Sequence, residues 1–315
     1  MDIDLAALRA VVRERELSLA AVLVSIETSL VTAYRAAGGS GERVSAEIDR
    51  ETGHVTIWVT DSEGVTTDET PDGFGRVAAA TARQVLLQRL RRATDEQVYA
   101  ETVDREGQVV SGIVQQSRDP DVIRLDLGSI EATMPRAEWV PGEDYSHGRR
   151  LRVFVCAVRR TARGPVAVVS RSHPGLVRGL FEREVPEIHD GSVEITAVAR
   201  EPGHRSKIAV RTSVPNLNPK GACIGVLGAR VRSVMAELNG EKIDIVDHHD
   251  DPVRFVRSAL SPAQTTGGRL VDEQTRAVQV IVPASQLSLA IGRDGQNARL
   301  AARLTRCRID IQPGE

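Results

Sequence analysis

Apolar residues recur at helical spacing over the first part of the chain, which predicts two amphipathic helices. The stripes are Leu5, Leu8 and Val12 in the first helix and Val22, Ile26 and Leu30 in the second. Ser18 is a suitable N-cap for the second helix, because its hydroxyl can accept from an unpaired backbone N–H. The glycine-rich run 38–41 ends that helix, since glycine disfavours a helix interior.

A hairpin and a long helix are predicted next. Residues 44–48 and 55–59 alternate apolar and polar side chains, which predicts two strands that turn near Thr52 and Gly53. A polar loop then leads to a helix over about residues 75–99. Its apolar face carries Val77, Val85, Leu86 and Leu90, and its other face carries Arg83, Arg89, Arg91 and Arg92. The sequence therefore predicts a head domain in the order αα-ββ-α.

From Gly107 onward the period of the apolar positions changes to two. Five short runs alternate in this way: 109–115, 122–127, 130–134, 151–158 and 166–170. Closely spaced short strands predict a small five-stranded barrel of the OB-fold plan, and a fragment of a β-sandwich is the alternative. Such barrels commonly bind oligonucleotides, but the fold alone does not establish that function.

The last third of the chain contains an internal repeat. Residues 223–230 are echoed by 290–297, and each copy holds a Gly-x-x-Gly sequence preceded by isoleucine. The predicted elements around them are helices at 175–185 and 252–260, strands at 193–198, 207–211, 269–271 and 277–282, and final strands at 242–245 and 308–311. The order α-β-β-α-GxxG-α-β thus occurs twice.

The repeated GxxG sequence points to a site for a nucleic-acid backbone. Glycine lets two helices meet in a tight turn, with no Cβ to block an approaching backbone. The amides that begin the second helix then face outward as donors to an anion. This is the arrangement of a KH domain, whose GxxG loop clamps a four-nucleotide backbone. A helical hairpin that is repeated for structural reasons alone is the alternative.

The two loops differ in chemistry. Val226 and Leu227 form an apolar tip in the first loop, whereas Arg293 lies at the tip of the second. We therefore expect the second loop to contribute more electrostatics and the first to act mainly through its backbone amides. RNA binding is assigned to both loops and to the polar residues that follow them: Gly225, Val226, Leu227, Gly228, Arg230, Arg232, Gly292, Arg293, Asp294, Gly295, Gln296, Asn297 and Arg299.

Length and composition agree with a soluble chain of several domains. The 315 residues exceed one typical domain, and 41% hydrophobic with 27% charged residues argues against wholesale disorder. No apolar run approaches the length of a bilayer span, and the N-terminus lacks a signal-peptide pattern. The three cysteines form no CxxC pair. They indicate neither a disulfide framework nor a zinc ribbon, which favours a reducing cytoplasm.

Charge is distributed unevenly along the chain. Residues 1–100 hold 11 basic and 16 acidic side chains, whereas residues 200–315 hold 17 basic and 12 acidic ones. An acidic head and a basic tail suggest two different partners, and the basic part suits a polyanion. Ordinary compositional drift is the alternative.

Other constellations favour no active site. The run 247–251 resembles a metal cluster, but adjacent histidines on a loop rarely converge on one ion. Ser170 and His173 could form a nucleophile and its base, yet no strained elbow and no oxyanion loop surround them. No P-loop and no dinucleotide fingerprint occurs. We therefore expect a protein that is not an enzyme and needs no cofactor or metal.

Several motifs together resemble the NusA family of bacterial transcription elongation, termination and antitermination factors, and most of all an actinobacterial member. They are SRSHPGLV at 170–177, AREPGHRSKIAV at 199–210, GACIG at 221–225, GEKIDIV at 240–246 and AIGRDGQNARL at 290–300. The resemblance covers the whole chain. It implies a multidomain α+β architecture with an RNA polymerase-binding head at 1–104, an S1-type OB-fold barrel at 105–174, and two tandem α/β KH domains at 175–249 and 250–315.

The resemblance also implies a function. A member of this family is expected to be a cytoplasmic monomer that binds core RNA polymerase and nascent single-stranded RNA, with other Nus factors as partners and no membrane contact. It is expected to modulate pausing, intrinsic termination and antitermination. An RNA-binding accessory protein of ribosome assembly or RNA turnover is the alternative.

Three segments depart from the family pattern. Residues 218–220 (Asn-Pro-Lys) add a cation before the first GACIG motif, and Arg-Cys at 306–307 replaces Gly-Trp before the last strand. The early barrel strand at 110–113 reads Val-Ser-Gly-Ile and lacks the surface phenylalanines on which bases stack.

Overall fold

The computed structural model describes residues 3–15 and 17–314, so the domain bounds predicted at residues 1 and 315 lie outside the described residues. The chain forms two compact units, residues 1–98 and 99–315. The internal domain bounds predicted from the sequence, at 104, 174 and 249, stay predictions.

The first unit is built largely as the apolar stripes predict. Helices α1 (Leu5–Glu14) and α2 (Leu19–Ala36) are followed by an antiparallel sheet of β1 (Arg43–Ile48), β2 (Val55–Thr60) and β3 (Thr66–Asp68), and then by α3 (Phe74–Val103), whose last residues belong to the second unit. Ser18 caps α2 by accepting from the N–H of Ala21. The sequence missed β3, because its three exposed polar residues carry no apolar period.

The core of the head lies where α2 and α3 meet the sheet. Ile26 and Leu30 of α2 are completely buried there. The apolar face predicted for α3 is wrong at Val77, which is 41% exposed. Ala78 and Ala82, which lie four residues apart on α3, are buried in the core instead.

Helix α2 is unusually apolar. Within the described residues it is the one helix long and apolar enough to cross a membrane, so the expectation that no apolar run approaches that length is wrong. Its buried side chains are Val22, Leu23, Ile26, Leu30 and Tyr34, all of which belong to the head core. A core helix meets the same criterion, and these five side chains place one face of α2 in the head core.

Five strands close into a barrel at the predicted positions. They are β4 (Val109–Gln115), β5 (Val122–Asp126), β6 (Glu131–Pro135), β7 (Arg150–Thr161) and β8 (Gly164–Ser170). The strand order is β4-β5-β6-β8-β7, and all neighbours are antiparallel except β6 and β8. The OB-type barrel is confirmed, and the alternative of a sandwich fragment is wrong because the sheet closes on itself.

Two copies of the predicted α/β module follow the barrel. The first contains α4 (Pro174–Glu184), α5 (Pro186–His189), β9 (Glu194–Glu201), β10 (Arg205–Arg211), α6 (Pro219–Ile224), α7 (Ala229–Glu237) and β11 (Lys242–Asp247). The second contains α8 (Pro252–Ala259), β12 (Gly267–Asp272), β13 (Ala277–Pro283), α9 (Leu287–Ile291), α10 (Gln296–Thr305) and β14 (Arg308–Gly314). In each module the middle strand pairs antiparallel with the first and parallel with the last. The internal repeat is confirmed.

One hydrophobic cluster extends across the two modules. Ala209 in the sheet of the first module is buried in the same cluster as Val280 of the second. Lys207 is fully buried and donates from Nζ to the Asp244 carboxylate and to the carbonyl oxygen of Ser261, both at 2.8 Å. Since Ser261 follows α8, this lysine ties the second module to the first. The packing therefore fixes the relative position of the two GxxG loops.

Candidate nucleic-acid interface

The two GxxG loops have the same backbone conformation. In the first loop φ is 74° at Gly225, 50° at Leu227 and 76° at Gly228. In the second the matching values are 78° at Gly292, 53° at Asp294 and 73° at Gly295. A Cβ at Gly225 would lie 2.7 Å from Cγ of Arg230, and one at Gly292 would lie 2.8 Å from the backbone nitrogen of Asn297. Glycine is therefore required at the start of each loop by both its φ and its close contacts.

Each loop leads into a helix whose first amides have no side-chain cap. Gly228 precedes α7 and Gly295 precedes α10, and neither start has a side-chain hydrogen bond within the described residues. The first N–H groups of a helix have no intrahelical partner and form the positive end of its dipole. These two helix starts are therefore suited to hold an anion such as a phosphate.

The loop tips project into solvent. Val226 is 84% exposed and Leu227 is 88% exposed. The side chains of Arg293 and Asp294 are also almost fully exposed. Leucine is unfavourable both in water and in the left-handed region that it occupies at φ 50°. A strained, exposed apolar residue of this kind is typical of a functional contact rather than of a packing position.

An arginine donates a hydrogen bond to a backbone carbonyl at the tip of each loop. Arg232 donates to the carbonyl oxygen of Leu227, and Arg299 donates to that of Asp294 at 3.1 Å. Both arginines lie five residues after the carbonyl that they hold. They therefore keep a cation beside each loop while they stabilise its left-handed tip.

Arg230 is placed differently from the other two arginines. Its guanidinium donates to the carboxylate of Glu187 at 2.9 Å and to the carbonyl oxygen of Ala222. Its side chain is 30% exposed. The structure thus brings Arg230 next to the first loop, but with its charge already offset.

Asn297 lies inside the second module rather than on its surface. Its side chain is buried, and its Nδ2 donates to the carbonyl oxygens of Leu260 and Ala290, both at 3.0 Å. The expectation that this amide reaches phosphates or base edges is wrong, because the side chain packs inside the second module. Asn297 instead fixes the end of α9 against the start of α10.

The sequence reasoning missed the residue that faces this part of α10. Glu201, at the end of β9 in the first module, accepts from Nε of Arg299 at 2.7 Å and from Nε2 of Gln296 at 2.9 Å. The hydrogen bond from Arg299 lowers the pKa of the Glu201 carboxyl below its usual value. Both polar residues after the second loop are therefore held by a carboxylate of the other module.

Two signature motifs of the first module meet in a buried network. Glu241 is 1% exposed and accepts two hydrogen bonds from Nε of Arg200, at 3.0 and 3.2 Å, and one from its NH2 group at 2.9 Å. The same carboxylate accepts from the N–H of Gly203 and from Oγ of Ser206. Arg200 also donates to the carbonyl oxygen of His173. The glutamate of GEKIDIV thus binds the first arginine of AREPGHRSKIAV.

Arg171 joins the barrel to the first module. Its buried guanidinium binds the Glu143 carboxylate through two nitrogens and donates to the carbonyl oxygens of Arg152 and Glu237. Ser170, next to it, accepts from the N–H of His173. The SRSH segment is therefore a structural junction between domains.

The residues at 247–251 make separate structural contacts. Asp247 forms an ion pair with Lys220 at 2.7 Å. His248 packs its ring edge-on against Phe255, and Asp251 caps α8 by accepting from the N–H of Val253. The cation that departs from the family pattern, Lys220, is thus offset by this segment.

One aromatic residue of the barrel lies on β7, directly opposite Val109 of the early strand β4. Phe154 on β7 stacks on the ring of His173, with 4.4 Å between the ring centroids. Val110 and Ile113 on β4 are half-buried aliphatic side chains. Cys307, at the other departure, is buried in the hydrophobic cluster that extends across the KH modules, and its thiol donates to the carbonyl oxygen of Thr305 at 3.5 Å.

The closed OB-type barrel and two outward-facing GxxG loops define a nucleic-acid-binding protein of the S1 and KH class. Three family descriptions match it: "NusA N-terminal domain" over residues 5–72, "NusA-like first KH domain" over 171–248 and "NusA-like second KH domain" over 252–315.

Full-length relatives agree with this classification. The transcription termination/antitermination protein NusA of Mycobacterium tuberculosis H37Rv is 54% identical over 99% of this chain and 93% of its own length. The NusA proteins of Bacillus subtilis and Thermus thermophilus are 43% and 44% identical, over 95% and 78% of this chain and 88% and 63% of their own lengths. The chain therefore belongs to the NusA family of transcription termination and antitermination proteins.

Proposed function

We propose that the chain binds core RNA polymerase through its head and nascent single-stranded RNA through the barrel and both KH modules, and that it thereby modulates pausing, intrinsic termination and antitermination. We further propose that it acts in the cytoplasm as a monomer alongside other Nus factors, with domain bounds at 104, 174 and 249. The observation that carries the RNA-binding part is the pair of GxxG loops, which have the same backbone conformation and belong to modules joined by one hydrophobic cluster.

The two KH modules are joined by a common hydrophobic cluster. We therefore expect them to bind one continuous RNA strand rather than two separate ligands. Lys207 and this cluster hold the loops in a fixed relation, so an RNA that engages the first loop is delivered to the second at a high effective concentration. Backbone amides at both loops supply contacts that do not depend on sequence. Ile224 and Ile291 directly precede the two loops and are 40% and 39% exposed, so these apolar side chains are suited to contact bases.

Truncation should separate the two proposed partners. A head fragment of residues 1–98 should bind core polymerase without RNA, and a fragment of residues 99–315 should bind single-stranded RNA without polymerase. The cut follows the two compact units and keeps Tyr99, whose ring lies 4.2 Å from the Arg160 guanidinium, with the barrel. A pull-down with core polymerase and a gel-shift with RNA at moderate salt check both statements. Binding of RNA by the head fragment alone would overturn the assignment.

Salt dependence should identify Arg299 as a phosphate contact. Each phosphate neutralised on a single strand contributes roughly −0.7 to the slope of log affinity against log salt. Replacing Arg299 with alanine is expected to weaken binding and to flatten that slope by about one contact. The control is Arg269→Ala on β12, which removes a cation hydrogen-bonded to Gln279 on the sheet and should leave the slope unchanged. Equal slopes for parent and Arg299→Ala would show that Arg299 serves only to brace the loop.

A further inference from the structure

Glu201 belongs to the first KH module, but its partners lie on the helix that follows the second GxxG loop. One carboxylate oxygen accepts from Nε of Arg299 at 2.7 Å, and Arg303 approaches the same oxygen at 3.9 Å. The other oxygen accepts from Gln296 at 2.9 Å. The Glu201 side chain is only 17% exposed. The carboxylate is therefore fully engaged and held in place.

This arrangement offsets the positive charge at the start of α10. Arg299 and Arg303 would place two cations within two turns of the second loop, and Glu201 opposes them with one anion. The hydrogen bond from Arg299 lowers the pKa of the Glu201 carboxyl and so favours its charged form. Arg299 stays beside the loop because its other nitrogen holds the Asp294 carbonyl oxygen. The cation is thus correctly placed for a phosphate, but its field is weakened.

The first module pairs an arginine at a different position with a carboxylate. Arg230, two residues after the first loop, is bound by Glu187 at 2.9 Å. In both modules an arginine on the helix after the loop therefore faces an internal carboxylate. Glu187 lies within the first module, whereas Glu201 acts across the junction between the two.

We propose that Glu201 is an internal counter-anion that lowers the affinity of the second GxxG loop for nucleic-acid phosphates. This inference rests on the proposed binding of RNA at that loop. A negative charge fixed beside Arg299 repels each phosphate that approaches it, so it weakens the part of binding that every polyanion shares. Contacts with bases are not weakened in this way, because bases are uncharged. Glu201 is therefore expected to weaken the binding of every single-stranded nucleic acid that brings a phosphate to this loop.

The test replaces Glu201 with glutamine, which keeps the side-chain size and an acceptor for Arg299 but removes the charge. Fluorescence anisotropy with a labelled single-stranded RNA of mixed sequence, and with the matching single-stranded DNA, is measured across a range of salt concentrations. The variant should bind both probes about threefold to tenfold more tightly at low salt. Its salt slope should steepen by up to one contact, roughly 0.7.

Glu194→Gln is the matched control. Glu194 lies on the same strand and is also paired with an arginine, Arg211 at 2.7 Å, but that arginine is on β10 rather than after a loop. Its neutralisation should leave affinity and slope unchanged. In an Arg299→Ala background the tightening caused by Glu201→Gln should shrink, because the main cation that it unmasks is absent.

The outcomes separate this inference from the proposed function. If the parent binds no RNA, or if Arg293→Asp binds as tightly as the parent, RNA binding at the second loop is wrong. If Arg293→Asp weakens binding but Glu201→Gln leaves it unchanged or weaker with no steeper slope, only the role of Glu201 is overturned. Partial unfolding of the variant does not confuse the result, because the slope does not depend on the active fraction.

Discussion

Replacing Glu241 with alanine is expected to destabilise the first KH module by about 3–5 kcal/mol, the range for a buried ion pair that loses one partner. The substitution leaves the guanidinium of Arg200, whose side chain is 1% exposed, charged and unpaired. It also leaves the donors of Gly203 and Ser206 without their acceptor. Each buried donor left without an acceptor adds a desolvation cost. The loss of Glu241 therefore removes the stabilising contribution of the whole network.

Hydrogen exchange in β9, β10 and β11 is the appropriate measurement. It reports on this module alone, whereas a single melting temperature for a chain of several domains does not. Glu194→Ala is the control, because its pair with Arg211 is about half exposed and such pairs contribute about 0–1 kcal/mol. If Glu241→Ala loses no more protection than Glu194→Ala, the network is not what holds the module together.

Negative charge at either loop tip is expected to weaken RNA binding tenfold or more. The two variants are Val226→Asp with Leu227→Asp in the first loop and Arg293→Asp in the second. Each places an anion where the proposed RNA backbone passes the helix-start amides. Close charges near a protein surface interact by about 1–4 kcal/mol. The substitution in the second loop also removes a cation. The loss of RNA affinity per substituted residue should therefore be larger there.

These substitutions should leave the fold intact. Val226 and Leu227 are 84% and 88% exposed, so no core contact is lost. Leu227 occupies the left-handed region, which aspartate tolerates better than leucine. The melting temperature should therefore equal that of the parent or rise slightly. Val226→Asn with Leu227→Asn is the matched neutral control and should keep most of the affinity.

The local parts of this interface could be predicted from the sequence. The GxxG loops, the strands around them and the start of α2 at Ser18 all depend on residues that are near one another in the chain, where period and glycine placement are informative. The equal geometry of the two loops follows from the repeat. Whether Leu227 is packed or exposed could not be settled without the structure, because both positions suit an apolar residue at a turn.

The contacts between residues that lie far apart in the chain could not be predicted from the sequence. Glu201 meets Gln296 and Arg299 across 95 and 98 residues, and no local pattern links a carboxylate at a strand end to a helix in the next module. Asn297 was misassigned for a related reason. Its polar side chain suggests a surface position, but the interior of the second module requires a donor for two carbonyl oxygens.

The most direct test of the RNA interface is equilibrium binding of single-stranded RNA to the full chain with Val226→Asp, Leu227→Asp and Arg293→Asp combined. Circular dichroism and a polymerase pull-down on the same sample confirm that folding and docking are intact. If one strand crosses both loops, the combined variant should lose more affinity than either single-loop variant and should still bind polymerase. If it folds normally and binds RNA as tightly as the parent, the repeated GxxG loops are structural hairpins and the RNA interface lies elsewhere.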